Sequence, residues 1–355
     1  MKRILLPLFC AALFLAGCTD QDTAEPKDPI NSEAVDHCGY NDLSGTDVQF
    51  TGGIKMVPIQ TPSGEFKVWT KRVGNNPRIK VLFLHGGPGG THELFECADG
   101  YFPAAQVEYY YYDQLGSARS DQPGDTSLWR TERFVEEVEQ VRQALGLDSS
   151  NFFLLGQSWG GILAMEYALK YQQNLKGLII SNMVASVPEY NKYAQEVLAP
   201  QLPPEVLKEV REIEAAGNFD DPRYAELLTE HYYTEHVLRI PLEEWPEAIE
   251  RAFNNLNPEI YIQMQGYSEF GITGDASLKN WDRKADLHTI TVPTLSVGAQ
   301  YDTMDPEEMK WISEEVKNGR YLYCENGSHL SQYDDQKTWF EGIIRFLKDV
   351  DAGRL

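Results

Sequence analysis

A serine set between glycines is the first group in the chain that could do chemistry: Gly156-Gln157-Ser158-Trp159-Gly160. A serine hydroxyl is a weak nucleophile until a base takes its proton and a third group orients that base. Glycines two residues to either side allow a sharp backbone turn, so the hydroxyl can stand clear of its neighbours. A second unusual segment is His85-Gly86-Gly87-Pro88-Gly89-Gly90. A histidine and five small or rigid residues offer little to pack, but they let the backbone approach another group closely. Backbone N–H groups brought close in this way stabilise the oxyanion that forms when a hydroxyl attacks a carbonyl. Together the two segments point to acyl transfer through Ser158. His85 reads as a structural loop residue rather than the base.

These segments need elements to hold them. Ile79–Leu84, ending at His85, predicts a buried strand, and Val107–Tyr112 predicts another. Phe134, Val138, Val141 and Leu145 recur at helical spacing across 131–145. Residues 152–155 predict the strand before Ser158, 160–171 the helix after it, and 178–181 the next strand. Ahead of these, 54–59 and 65–70 flank Thr61-Pro62-Ser63-Gly64 and predict an antiparallel hairpin. After a long gap the alternation resumes with a strand at 291–297, a helix at 306–316, a strand at 321–324 and a helix at 337–347. Alternation of this kind predicts a mainly parallel sheet with helices on both faces. Between about Pro188 and Gly274 the chain is rich in Glu, Tyr and Pro with helical periodicity and no convincing strand. The expected plan is an α/β core over 46–187 and 275–355, with a helical cap, 188–274, inserted into it.

A Gly-x-Ser-x-Gly turn between a strand and a helix resembles the nucleophile elbow of the α/β-hydrolase fold, where the chain order is nucleophile, acid, base. Seven histidines compete for the base. His329, in Asn326-Gly327-Ser328-His329 just past the last predicted strand, lies where a loop can carry an imidazole over the serine. His288 stands before a strand, at the wrong end of the sheet, and His231 and His236 read as partly exposed cap residues. Asp302 follows the strand at 291–297 and is the expected acid; Asp305, just before Pro306, is its rival, while Asp286 precedes the strand. The fold places oxyanion donors at the loop after the third strand and at the residue after the serine, here Gly87 and Trp159. The Trp159 side chain is also a candidate wall of the substrate pocket.

Beyond the elbow the chain resembles the proline iminopeptidases, serine peptidases within the α/β hydrolases. The resemblance runs from about Ile54 to Leu347. It rests on the His85–Gly90 loop, Tyr112-Asp113-Gln114-Leu115-Gly116-Ser117-Ala118-Arg119-Ser120, the Ser158 motif, Gly266-Tyr267-Ser268-Glu269-Phe270-Gly271, Leu278–Asp282 and Val292–Leu295. It implies release of an amino-terminal residue, typically proline, from short peptides with a free amino terminus. It also implies that Glu269 receives the substrate ammonium, since a carboxylate in a closed pocket makes strong charge-assisted hydrogen bonds. The pattern is not matched everywhere. Several relatives carry a second amine-binding glutamate where this chain has Thr303, and Asp305 is the nearest substitute. Arg119 is expected to brace loops. The same machinery could serve an esterase or amidase acting on uncharged acyl groups, and a non-catalytic peptide-binding lipoprotein is the third reading. None of these chemistries calls for a metal or an organic cofactor.

The chain has 355 residues and a formal net charge of −23, which argues against partners rich in phosphate or an anionic bilayer surface. Its start is different in kind. Lys2 and Arg3 precede a short apolar run over 4–16, and Leu15-Ala16-Gly17-Cys18 follows. The run is too short to span a membrane and reads as a signal peptide. Its ending resembles a bacterial lipobox, which implies removal of 1–17, a lipid on Cys18 and a flexible tether over 18–45. Thr19 rather than Asp after the cysteine suggests an exported envelope lipoprotein not retained at the inner membrane. Cys38, Cys97 and Cys324 would remain, and a Cys38–Cys97 bridge is one available pairing. No cysteine pair has zinc-site spacing.

Overall fold

The structure is a computed structural model, and its description covers residues 39–355. The expected signal peptide, Cys18 and Cys38 lie outside the described residues. Within the stretch expected as tether, Tyr40 is docked: its ring is buried against Gly74 and its hydroxyl donates to the Val107 carbonyl at 3.2 Å.

Eight strands form one sheet: β1 (Ile54–Thr61), β2 (Gly64–Val73), β3 (Lys80–Leu84), β4 (Glu108–Asp113), β5 (Phe152–Gln157), β6 (Gly177–Ser181), β7 (Thr294–Ala299) and β8 (Gly319–Cys324). Their spatial order is β1-β2-β4-β3-β5-β6-β7-β8. The β1–β2 hairpin joins β4 antiparallel, and every pairing from β4 onward is parallel. Alternate residues of β3 go to opposite faces, as a period of two requires. Leu82 and Leu84 pack with one apolar cluster, Val81 and Phe83 with the other. The first cluster includes Phe134, Val138 and Val141 of α1 (Thr131–Ala144) and Ile162 and Leu163 of α2 (Trp159–Tyr171). Phe83 stacks on Phe95 at 4.4 Å between centroids; cutting such a core ring back to alanine costs about 3–5 kcal/mol.

β7 begins and ends later than the apolar run suggests. Pro293 has no N–H to give the ladder, and Gly298 and Ala299, beyond the expected end at 297, pair with Tyr323 and Cys324 of β8.

The chain between β6 and β7 is helical, beginning with α3 (Val187–Tyr193), α4 (Pro204–Ala216) and α5 (Pro222–Leu228) and continuing to α6 (Glu247–Asn254) and α7 (Pro258–Met264). Its two ends are tied at one place. Ser186 and Asp282 form an antiparallel bridge, flanked by Val187 N–H to the Trp281 carbonyl and Arg283 N–H to the Ala185 carbonyl, both 2.8 Å. The inserted helices keep their own apolar cluster, built around Leu198, Val210, Leu228, Tyr232 and Phe270. In the core α8 (Pro306–Glu315) and α9 (Gln336–Asp351) follow, with a one-turn helix, Ser331–Asp334, between them, and α9 covers the sheet face opposite α2 with Trp339, Phe340 and Ile343. No helix among the described residues is long and apolar enough to cross a membrane.

Candidate active site

The carboxyl ends of β3, β4, β5, β6, β7 and β8 all open toward one edge of the sheet, where loops can gather side chains from distant parts of the chain. Ser158 follows β5 directly and caps the start of α2, with φ 56° and ψ −127°. This left-handed backbone costs a non-glycine residue about 1–2 kcal/mol. It is held by Ser158 N–H donating to the Ser181 carbonyl at 3.1 Å and by the first turn of α2. A Cβ on Gly160 would strike the Leu84 carbonyl, and one on Gly156 the Gly160 carbonyl, so both glycines are required by close backbone approach.

His329 and Asp302 meet as the order of the chain suggested. His329 Nδ1 lies 2.7 Å from Asp302 Oδ1. The proton on Nδ1 therefore faces the carboxylate, which leaves Nε2 available as the base. Asp302 is fully buried and further held: Asn182 Nδ2 donates to Oδ2 at 2.7 Å and Met304 N–H donates to Oδ1 at 3.1 Å. Burial pulls the His329 pKa down, but the charges of Asp302, Glu269 and Asp334 outweigh it, and the net shift is upward. Asp305 does not compete for the imidazole. Its side chain caps α8, accepting from Glu307 N–H at 2.9 Å.

Ser158 and His329 line one cavity with Gly86, Gly87 and Glu269. No hydrogen bond closes between the serine hydroxyl and the imidazole; in a site without substrate that contact is commonly looser than in the reacting complex. Besides Gly90 and the polar Gln157, the rest of the wall is apolar: Leu94, Val237, Ala252, Phe253, Leu256 and Leu330. Glu269 is held on three sides by tyrosines. Tyr261 donates to its Oε1 at 2.5 Å, Tyr190 donates to its carbonyl at 2.5 Å, and its N–H donates to the Tyr233 hydroxyl at 3.2 Å. Its other carboxylate oxygen, Oε2, is buried and has no partner. Burial raises the Glu269 pKa, with His329 and the Tyr261 hydrogen bond pulling it back and Asp302 adding to the rise.

The chain as a whole is similar to known proteins. Residues 80–336 match the family described as alpha/beta hydrolase fold. A proline iminopeptidase of Flavobacterium johnsoniae is 60% identical over 296 residues, which cover 83% of this chain and 98% of that protein. Another, from Elizabethkingia meningoseptica, is 60% identical over 297 residues, covering 84% and 99%. The chain belongs to the proline iminopeptidase family. Among solved structures, the proline iminopeptidase of Mycobacterium smegmatis matches with a TM-score of 0.75 at 25% identity, covering 85% of this chain and all of that one. The structure of VinJ matches with a TM-score of 0.77 at 28% identity, covering 84% and 98%.

Several residues of this iminopeptidase-family chain stand elsewhere than their sequence context suggested. Trp159 does not wall the cavity. Its indole is buried in the core, edge-on to Phe134, because Nε1 finds its acceptor in Gln114 Oε1 at 2.9 Å. His236 is not a partly exposed cap residue but a buried one, whose carbonyl accepts His329 N–H at 3.0 Å. Arg119 leaves its guanidinium exposed over the Trp69 ring at 5.5 Å. Thr303 is buried, with its hydroxyl 3.3 Å from both Asp302 Oδ1 and His329 Nδ1. Asn182, which braces Asp302, escaped notice, although it follows a predicted strand at the right edge of the sheet. Its φ of 52° is a conformation that asparagine adopts more readily than most residues. Among the described residues no group of His, Cys, Asp and Glu side chains could hold a metal ion.

Proposed function

We propose that this protein is a serine aminopeptidase that releases amino-terminal residues, preferentially proline, from short peptides. The observation that carries the reading is the buried, unpartnered Oε2 of Glu269 in the cavity shared by Ser158 and His329. A carboxylate oxygen left without a donor in such a place is costly unless a ligand supplies one, and a substrate's terminal ammonium is a donor of the right charge. The apolar wall beside it suits a small hydrophobic residue such as proline.

In the mechanism His329 Nε2 takes the proton of Ser158 as Oγ attacks the carbonyl of the first residue. The Gly87 and Trp159 N–H groups receive the oxyanion, and Asp302 stabilises the imidazolium. His329 then protonates the leaving amine, and water hydrolyses the acyl-enzyme by the reverse route. The test is hydrolysis of prolyl, alanyl and leucyl naphthylamides beside their N-acetylated forms, with Ser158→Ala as the blank. Fast cleavage of the free prolyl compound that acetylation abolishes is the expected result. Equal cleavage of free and blocked compounds would replace the reading with an esterase or amidase.

The leader motif supports export as a lipoprotein, with Cys18 as the lipidated residue and the enzyme tethered to the cell envelope. Cell fractionation of wild type and Cys18→Ser checks this: the variant is expected to leave the membrane fraction, and equal membrane association of the two would sink the idea.

A further inference from the structure

Both proposed oxyanion donors are backbone N–H groups; that of Trp159 is aimed by the first turn of α2, where the Ser158 carbonyl accepts Gly161 N–H at 2.6 Å, whereas that of Gly87 lies in a loop. Gly87 N–H belongs to the Gly86–Gly87 peptide, whose carbonyl and N–H point in opposite directions across a planar trans bond. Whatever grips the Gly86 carbonyl therefore sets the direction of the Gly87 N–H. That grip is His85, whose Nδ1 lies 2.9 Å from the Gly86 carbonyl. The ring is oriented in turn from its far side, where the backbone N–H of Gln114 donates to His85 Nε2 at 3.1 Å, a contact that the side-chain variants below keep. Accepting at Nε2 leaves the ring proton on Nδ1, where it can donate to Gly86. Burial lowers the His85 pKa, consistent with a neutral ring.

Gln114 reaches further still. Its Nε2 donates to the His85 carbonyl at 3.3 Å, and its Oε1 accepts from Trp159 Nε1 at 2.9 Å. Gln114 follows β4, His85 follows β3 and Trp159 follows the serine at the end of β5, so one side chain spans the ends of three adjacent strands. Gln114 and His85 are fully buried, and Gln114 faces neither the cavity nor Ser158.

We propose that the Gln114 side chain, holding the His85 carbonyl on one side and the Trp159 indole on the other, is the positioning residue that keeps the Gly87 donor loop in register with the Trp159 N–H at the start of α2. This rests on Ser158 being the nucleophile, but not on which acyl group is transferred. It also gives the Tyr112–Ser120 segment a task that neither the triad nor amine recognition requires.

The experiment compares wild type, Gln114→Leu and Gln114→Glu, each checked for its melting temperature. Gln114→Glu keeps the acceptor for Trp159 and loses the donor to the His85 carbonyl; Gln114→Leu loses both. On prolyl naphthylamide, kcat is expected to fall about 10- to 100-fold in Gln114→Leu, less in Gln114→Glu, with KM nearly unchanged. The decisive readout is inhibition by prolinal, whose hemiacetal with the serine places an oxyanion at the donors, against inhibition by proline, which forms no adduct. The prolinal constant is expected to weaken in step with kcat/KM while the proline constant stays put. Equal weakening of both, or a loss of activity that merely follows the melting temperature, would mean a structural role and overturn the proposal. So would unchanged kcat in Gln114→Leu. Where Gln114→Leu does not fold, Gln114→Glu carries the same comparison. If the wild type fails to cleave prolyl compounds, the aminopeptidase reading falls, and the same kcat comparison on p-nitrophenyl acetate still decides the role of Gln114.

Discussion

Around the triad, a residue's neighbours are set by strand register, whereas around Glu269 they are set by which tyrosine hydroxyl reaches which backbone group. β5, β6, β7 and β8 run parallel and end together, so Ser158, Asn182, Asp302 and His329 arrive at one edge because the ladder places them there. Glu269 has no ladder beneath it. It stands after α7 on an irregular stretch held by Tyr190, Tyr233 and Tyr261, which come from three separate parts of the cap. Under the proposed function the sheet carries the bond-breaking chemistry and the cap the choice of substrate, and the two can be perturbed separately.

The largest effect is expected in the core. Asp302→Asn removes the charge facing His329 Nδ1 and favours the wrong tautomer, so kcat should drop by about 10⁴-fold on every substrate, blocked or free. A loss confined to free-amine substrates would erase the division between core and cap. Next in size is Glu269→Gln. Leaving the substrate ammonium without its carboxylate should cost roughly 3 kcal/mol, about 100-fold in kcat/KM for prolyl naphthylamide, and nothing on an acetyl ester. The ester carries a second readout. The Glu269 charge helps to raise the His329 pKa, so the acid limb of kcat/KM, where protonated His329 can no longer act as base, should move to lower pH in the variant. An unmoved limb would mean that the two groups do not sense one another.

The core was legible because its signals are local. An apolar run ending at His85 or Ser158 states both a strand and the edge at which it ends, and the order of nucleophile, acid and base then leaves few places for Asp302 and His329. Glu269 could be named only through family resemblance, since nothing in its own composition marks it off from the many other glutamates of the cap. The residues that position others were hardest to see. Asn182, Gln114 and His236 act through contacts between segments remote in sequence, and His236 looked exposed because its burial depends on the loop carrying His329. Thr303 shows the same limit from the other side: it was noted for what it replaces, while its hydroxyl lies against both Asp302 and His329.

Within the cap itself, Tyr261→Phe should cost about tenfold in kcat/KM for free-amine substrates, the size of one hydrogen bond to a charged group. Losing that bond lets the Glu269 pKa rise further, so the defect should grow as pH falls. A defect of equal size across the pH range would leave Tyr261 as a packing residue only.

The smallest effect tests the seam between the two regions and should appear in stability rather than rate. Glu308 on α8 accepts from Ala185 N–H at 3.3 Å, one residue before the bridge that ties the ends of the cap. Burial pushes its pKa up to about 7 from 4.5, although Lys284 and the Ala185 hydrogen bond pull it down. A carboxyl raised in the folded state contributes stability that is fully present below its unfolded pKa and is lost as pH rises through about 7. Glu308→Gln keeps an acceptor for Ala185 and cannot ionise, so it should be more stable than wild type by on the order of 1 kcal/mol at pH 8 and no more stable at pH 4. Thermal melts at the two pH values read the difference, with kcat on prolyl naphthylamide unchanged. A gain of equal size at both would show that ionisation of Glu308 does not strain this seam. A fall in kcat would show that the seam, and not only the cavity, couples cap to core.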